Sequence, residues 1–277
     1  MSMRIANIKT NNYSIEYGWI IVKHVEYLGD ERLRHKVVYK EGQYSDCIYC
    51  GKQAKTREHI PSKVFLEKPF PDNLGIVPAC VECNKSFSKD ELFLSLLIEI
   101  LKSKHYGHSY VFTEDTAGRM VYNKTLVKEI ETTIEKNRLT QFEDRISKII
   151  FKLAIGHSVF ELSEGYCLNN GSLRYSFANM MSHEEIEEFK LPFNIGDSFL
   201  PEIGSRVYDR IMVIELDLAA VHSSEQKLKT QLVLLDWIDV QDNKYIYTCY
   251  RFGEEIVVKL IISDFLYSEV IINTEEY

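Results

Sequence analysis

Cys47-Ile48-Tyr49-Cys50-Gly51-Lys52, then Arg57-Glu58-His59-Ile60-Pro61, then Asp72-Asn73-Leu74, then Cys80-Val81-Glu82-Cys83-Asn84: these four segments carry the reading of the whole chain. Two Cys-x-x-Cys knuckles, Cys47/Cys50 and Cys80/Cys83, bracket a carboxylate, a histidine and two carboxamides. Each knuckle supplies two thiolates from one tight turn, and tetrahedral zinc takes four such ligands. With every position filled by sulfur, none stays open for chemistry, so the expected zinc is structural. The groups it would brace, Glu58, His59, Asn73 and Asn84, suit a hard, oxygen-preferring ion beside a general base.

This arrangement resembles the HNH (ββα-metal) endonuclease family, in the version braced by a four-cysteine zinc. The resemblance rests on Glu58-His59-Ile60-Pro61, on Asn73 within Asp72-Asn73-Leu74, and on Asn84 directly after the second knuckle, so the site reads H-N-N. It implies a ββα-metal core over residues 46–108 and hydrolysis of DNA phosphodiester bonds, by nicking or double-strand cleavage, leaving a 3′-hydroxyl and a 5′-phosphate. His59 would be the general base, since an imidazole titrates near ~6.5 and accepts a water proton at neutral pH. Asn73 would fix the loop that orients it. Glu58 and Asn84 would ligate a catalytic divalent cation, magnesium or manganese given their oxygen donors. Arg57, Lys63 and Lys85 would clamp phosphate. In a regular strand Glu58 and His59 point to opposite faces, so a shared site requires the pair to sit at a strand end or bulge; the resemblance implies a loop after the first strand, and Pro61 marks a suitable break.

Outward from the motif, Leu92, Phe93, Leu96, Leu97, Ile100 and Leu101 recur at helical spacing, predicting a helix from near Val81 that presents Asn84 and Lys85 close to its N-terminus. Residues 1–45 form an N-terminal extension in which Glu16 to Leu28 and Arg32 to Lys40 read as a β-hairpin around Gly29-Asp30. Residues 109–277 form an accessory α/β region. Its helical patterns run from Thr125 to Arg138 and from Gln141 to Leu162, followed by a short helix opened by a Ser182/Glu185 capping box. From Arg206 onward five β patterns follow, at Ile211 to Ile214, Gln231 to Asp236, Tyr245 to Tyr250, Ile256 to Ile262 and Phe265 to Ile272. The predicted class is α+β, with a helical middle and a mainly antiparallel C-terminal region.

That C-terminal half carries no motif tied to chemistry. His157 reads as a core histidine, and Tyr245, Tyr247 and Tyr250 as sheet packing. His105 and His108 read as helix C-terminal residues that complement the dipole.

The 277 residues, 45% hydrophobic and 27% charged, are those of an ordinary globular protein. No apolar run approaches the ~18 residues of a membrane span. The N-terminus lacks a secretory h-region, and six cysteines with four in knuckles fit a reducing compartment, so the expected address is cytoplasmic. A net charge of −8 argues against a protein that coats nucleic acid. Yet between Cys47 and Gly107 nine lysines and arginines face seven acids, a basic working face on an acidic body. Weak, salt-sensitive DNA binding is expected. Specificity would come from elsewhere, through the C-terminal region, a partner protein or self-association. The role expected of such a nuclease is a bacterial defence or mobile-element effector. Two alternatives stay open: a zinc-braced nucleic-acid-binding or adaptor protein without cleavage, and an RNA-directed nuclease.

Overall fold

The computed structural model describes residues 15–17, 20–27, 46–72, 74–165, 171–194, 205–218 and 228–274. The chain enters through two antiparallel strands, β1 (Ile15–Tyr17) and β2 (Ile20–Tyr27). The expected second hairpin arm, 32–40, lies outside the described residues. The cysteine-rich stretch folds as a hairpin, β3 (Thr56–Ile60) with β4 (Gly75–Ala79), followed directly by α1 (Val81–Tyr106). This is a ββα unit, and α1 begins at Val81, as expected, and carries the apolar periodicity of Leu92 to Leu101 in its second half.

Three helices follow: α2 (Glu114–Tyr122), α3 (Lys124–Glu135) and α4 (Glu143–Leu162). Helix α2 was not read from the sequence; Thr113 caps it by accepting from the Thr116 amide at 3.4 Å. After α4 come β5 (Gly171–Phe177), the capping-box helix α5 (His183–Phe189) and β6 (Phe193–Asn194). The C-terminal strands are β7 (Ile211–Leu218), β8 (Leu228–Leu235), β9 (Ile238–Gln241), β10 (Tyr245–Phe252), β11 (Glu255–Ile262) and β12 (Leu266–Asn273).

These strands make two antiparallel sheets, ordered β1-β2-β7-β8-β6 and β5-β12-β11-β10-β9. The first joins the N-terminal strands to the C-terminal half, because β2 pairs along its length with β7. Strand β5, Gly-Ser-Leu-Arg-Tyr-Ser-Phe, escaped the sequence reading because it lies at a sheet edge, where one side meets solvent and polar side chains are tolerated.

Helix α4 is the element around which the rest packs. It is buried continuously from Lys152 to Leu162 and touches α1, β3 and β4 on one side and β10, β11 and β12 on the other. One apolar core therefore runs from Ile60 and Val77 of the hairpin, through α1 and α4, to Val258, Leu260 and Val270 of the C-terminal sheet. Close approach is built in at Gly156, where an added Cβ would stand 2.3 Å from Cδ1 of Ile60. His157 is a fully buried core histidine, its ring stacked on Tyr247 at 3.8 Å and its Nε2 2.9 Å from the Tyr245 hydroxyl. No helix among the described residues is long and apolar enough to cross a membrane.

Candidate functional site

The first knuckle is a tight turn in which the amides of Cys50 and Gly51 donate to the Cys47 carbonyl at 3.3 and 2.9 Å, and Gly51 takes φ +71°. A side chain disfavours that conformation, so glycine belongs there. The second knuckle sits where β4 becomes α1: Cys80 is the helix N-cap, and its sulfur accepts from the Cys83 amide at 3.3 Å. A hydrogen bond from the Ile48 amide to the Pro78 carbonyl, 3.2 Å, holds the two turns together. As a result the four sulfurs of Cys47, Cys50, Cys80 and Cys83 all lie within 4.8 Å of one another. Four sulfurs about 2.3 Å from one zinc would stand roughly 3.8 Å apart, and Cys50 and Cys80 are separated by 3.7 Å. The donor set therefore fits a tetrahedral metal such as zinc. Burial, followed by the neighbouring Cys50, Cys80 and Cys47 sulfurs, pushes the Cys83 thiol well above the usual thiol range. A bound cation would reverse that crowding.

The hairpin–helix unit then distributes the remaining candidates. Thr56, Glu58 and Ile60 share the face of β3 turned toward α1 and α4, while Arg57 and His59 share the other. The register is unbroken, with Glu58 opposite Val77, His59 opposite Ile76 and Ile60 opposite Gly75. No bulge separates Glu58 from His59, and the strand ends after Ile60, at the break marked by Pro61. The structure places the two side chains on opposite faces.

His59 is half-buried, and burial, followed by the positive charges of Lys63 and Lys152, holds its imidazole below the ordinary histidine range. It is thus kept neutral at pH 7, as a proton acceptor must be. Arg57, Lys63 and Lys85 are exposed. Asn84, in the first turn of α1, donates through Nδ2 to Thr56 Oγ1 at 3.3 Å, which puts it on the Glu58 side of the hairpin. Asn73 lies outside the described residues.

Glu58 is buried and engaged. Its Oε1 is 2.9 Å from Nζ of Lys152, which reaches in from α4 and is wholly enclosed. The same Nζ lies 2.8 Å from Glu91 Oε1 and 2.6 Å from Ser62 Oγ, and the Ser62 hydroxyl donates to Glu91 at 2.6 Å. Glu91 follows Asn84 by seven residues, two turns along the same face of α1. Sequence reasoning missed Lys152, Glu91 and Ser62. A signal was present for two of them: Lys152 interrupts the apolar run Ile149-Ile150-Phe151/Leu153-Ala154-Ile155, and Glu91 immediately precedes Leu92-Phe93-Leu94. A charge inside an apolar stripe needs a buried partner, although the sequence does not say which.

Compared with protein-family models, curated proteins and solved structures, the chain matches none of them.

Proposed function

We propose that this chain is a metal-dependent endonuclease of the HNH kind, hydrolysing DNA phosphodiester bonds. The observation that carries the reading is the ββα unit closed by four converging cysteines, with His59 near the end of its first strand. In this reading His59 accepts the proton of the attacking water. Asn84 and Glu58, both on the α1 side of the hairpin, are the oxygen donors for a magnesium or manganese ion, which would offset charge on the phosphate. Exposed Arg57, Lys63 and Lys85 hold the backbone phosphates. The cysteine metal takes no part in the reaction and fixes the hairpin against the helix.

A second reading, a zinc-braced binding or adaptor protein, is favoured by two observations: Glu58 is already neutralised by Lys152, and it lies on the face of β3 opposite His59. Cleavage of supercoiled plasmid with magnesium or manganese separates the two. The endonuclease reading expects nicking by the wild-type protein and a loss of about 10²–10⁴-fold in folded His59→Ala, the usual value of positioned proton transfer. Near-wild-type cleavage by folded His59→Ala would reject His59 as the base. DNA binding by the wild type with no cleavage under any divalent cation would leave the adaptor reading standing.

A further inference from the structure

The cage around Lys152 is over-supplied with anionic oxygen. Two buried carboxylates, Glu58 and Glu91, face a single ammonium. Nearby, the Tyr49 hydroxyl is buried and has no hydrogen-bond partner among the described residues. Tyr49 and Lys152 both lie against the Phe87 ring, whose centroid is 5.0 Å from that of Tyr49 and 5.9 Å from Nζ. A buried ion pair whose task is to brace two helices gains most when one charge meets one charge and every polar atom is satisfied. Here one negative charge and one hydroxyl are left over, and the donors around Nζ are all oxygen at 2.6–2.9 Å. The three oxygens satisfy the three N–H groups of the ammonium, but the same oxygens, drawn in to shorter distances, are of the kind a hard divalent cation takes.

We infer that Lys152 is an intramolecular competitor for the divalent cation, so that ion binding at Glu58 and Glu91 and insertion of the α4 lysine exclude each other. The inference rests on the reading of Glu58 as a cation ligand, and it adds Glu91 as a second carboxylate and α4 as the element that regulates access. Exclusion follows from geometry. Nζ already contacts one oxygen of each carboxylate, and a divalent ion binding those oxygens at about 2.1 Å would meet the ammonium inside its own coordination shell. The backbone fixes where the lysine arrives. Gly156, one turn after Lys152, lies against Ile60, two residues after Glu58, so the close contact of helix and strand delivers Nζ to the carboxylate. Affinity for the ion is then reduced by the fraction of molecules in which Lys152 is inserted.

The test uses the full zinc-loaded chain and manganese as the probe. Lys152→Met keeps the length of the side chain and removes the charge. Manganese is titrated into wild type and variant, with melting temperature and the paramagnetic resonance signal of free manganese as readouts. The variant is expected to bind manganese at least about tenfold more tightly than wild type, with a melting temperature that rises on binding, and to lose that gain when Glu58→Gln is added. Equal affinity in wild type and Lys152→Met, or no manganese affinity in the variant, would overturn the inference and leave the cluster as a brace. If Lys152→Met does not fold, Lys152→Met/Glu91→Gln, which removes one charge of each sign, is compared with Glu91→Gln alone and judged by the same two outcomes. Plasmid cleavage is scored separately. Ion exchange without cleavage would sink the nuclease reading alone, and cleavage with equal ion affinities would sink the competitor alone.

Discussion

Replacing Gly156 by alanine tests how α4 is seated on the hairpin. An ordinary helical glycine-to-alanine change stabilises by about 1 kcal/mol. Here the new Cβ would stand 2.3 Å from Ile60 Cδ1 and 2.9 Å from its Cγ1, against an optimum carbon separation of about 3.5–4.0 Å. Ile60 is fully buried and pinned between β4 and α4, so its side chain has little room to swing aside. Overpacking of this kind costs about 1–3 kcal/mol. Set against the helix gain, a net loss of up to about 2 kcal/mol is expected. Ile60→Val removes Cδ1, the atom nearest the clash, and by itself should cost about 0.5–1.5 kcal/mol. Cγ1, at 2.9 Å, remains in valine, so relief is partial: Gly156→Ala should cost less in the Ile60→Val background than in wild type, giving a coupling of about 1 kcal/mol between the sites. Urea unfolding of the four proteins measures the cycle. Stabilisation by Gly156→Ala, with effects that add to within about 0.5 kcal/mol, would refute the close seating.

One zinc per chain is expected by elemental analysis, and Cys80→Ser should lower folded yield and zinc content together, because its sulfur both joins the metal set and caps α1. Full folding without bound metal would count against this. His157 should make the fold acid-labile. Burial, then Arg206 and Lys152, holds its imidazole well below the ordinary range, so the unfolded chain takes up the proton first as pH falls. Its contribution is complete above about pH 6.5 and is lost below it at about 1.4 kcal/mol per pH unit until the folded-state value is reached. Urea midpoints between pH 5 and 7 should therefore fall less steeply in His157→Phe/Tyr245→Phe than in wild type; identical slopes would rule the histidine out. Glu161→Gln should destabilise by about 1–3 kcal/mol, since its carboxylate receives Ser205 Oγ, the Arg206 amide and Arg206 Nε at 2.9, 2.9 and 3.1 Å; a melting curve like that of wild type would show these bonds to be dispensable.

The local features of this protein were legible in its sequence. Two cysteine knuckles at this spacing, the apolar stripe from Leu92 to Leu101, the Ser182 capping box and the apolar-rich C-terminal strands each depend on residues a few positions apart, and local geometry decides them. So does the alternation of β3: the sequence already indicated that Glu58 and His59 would diverge in a regular strand, and β3 is regular through both of them. Pairings between distant residues were not legible. That β2 joins β7, and that β5 takes the edge beside β12, follow from how the sheets assemble around α4. The partner of Glu58 lies 94 residues away in sequence. A lone lysine in an apolar stripe announces that it needs a counter-charge, but only the approach of α4 to the hairpin, permitted at Gly156, selects Glu58 and Glu91 as the groups it meets.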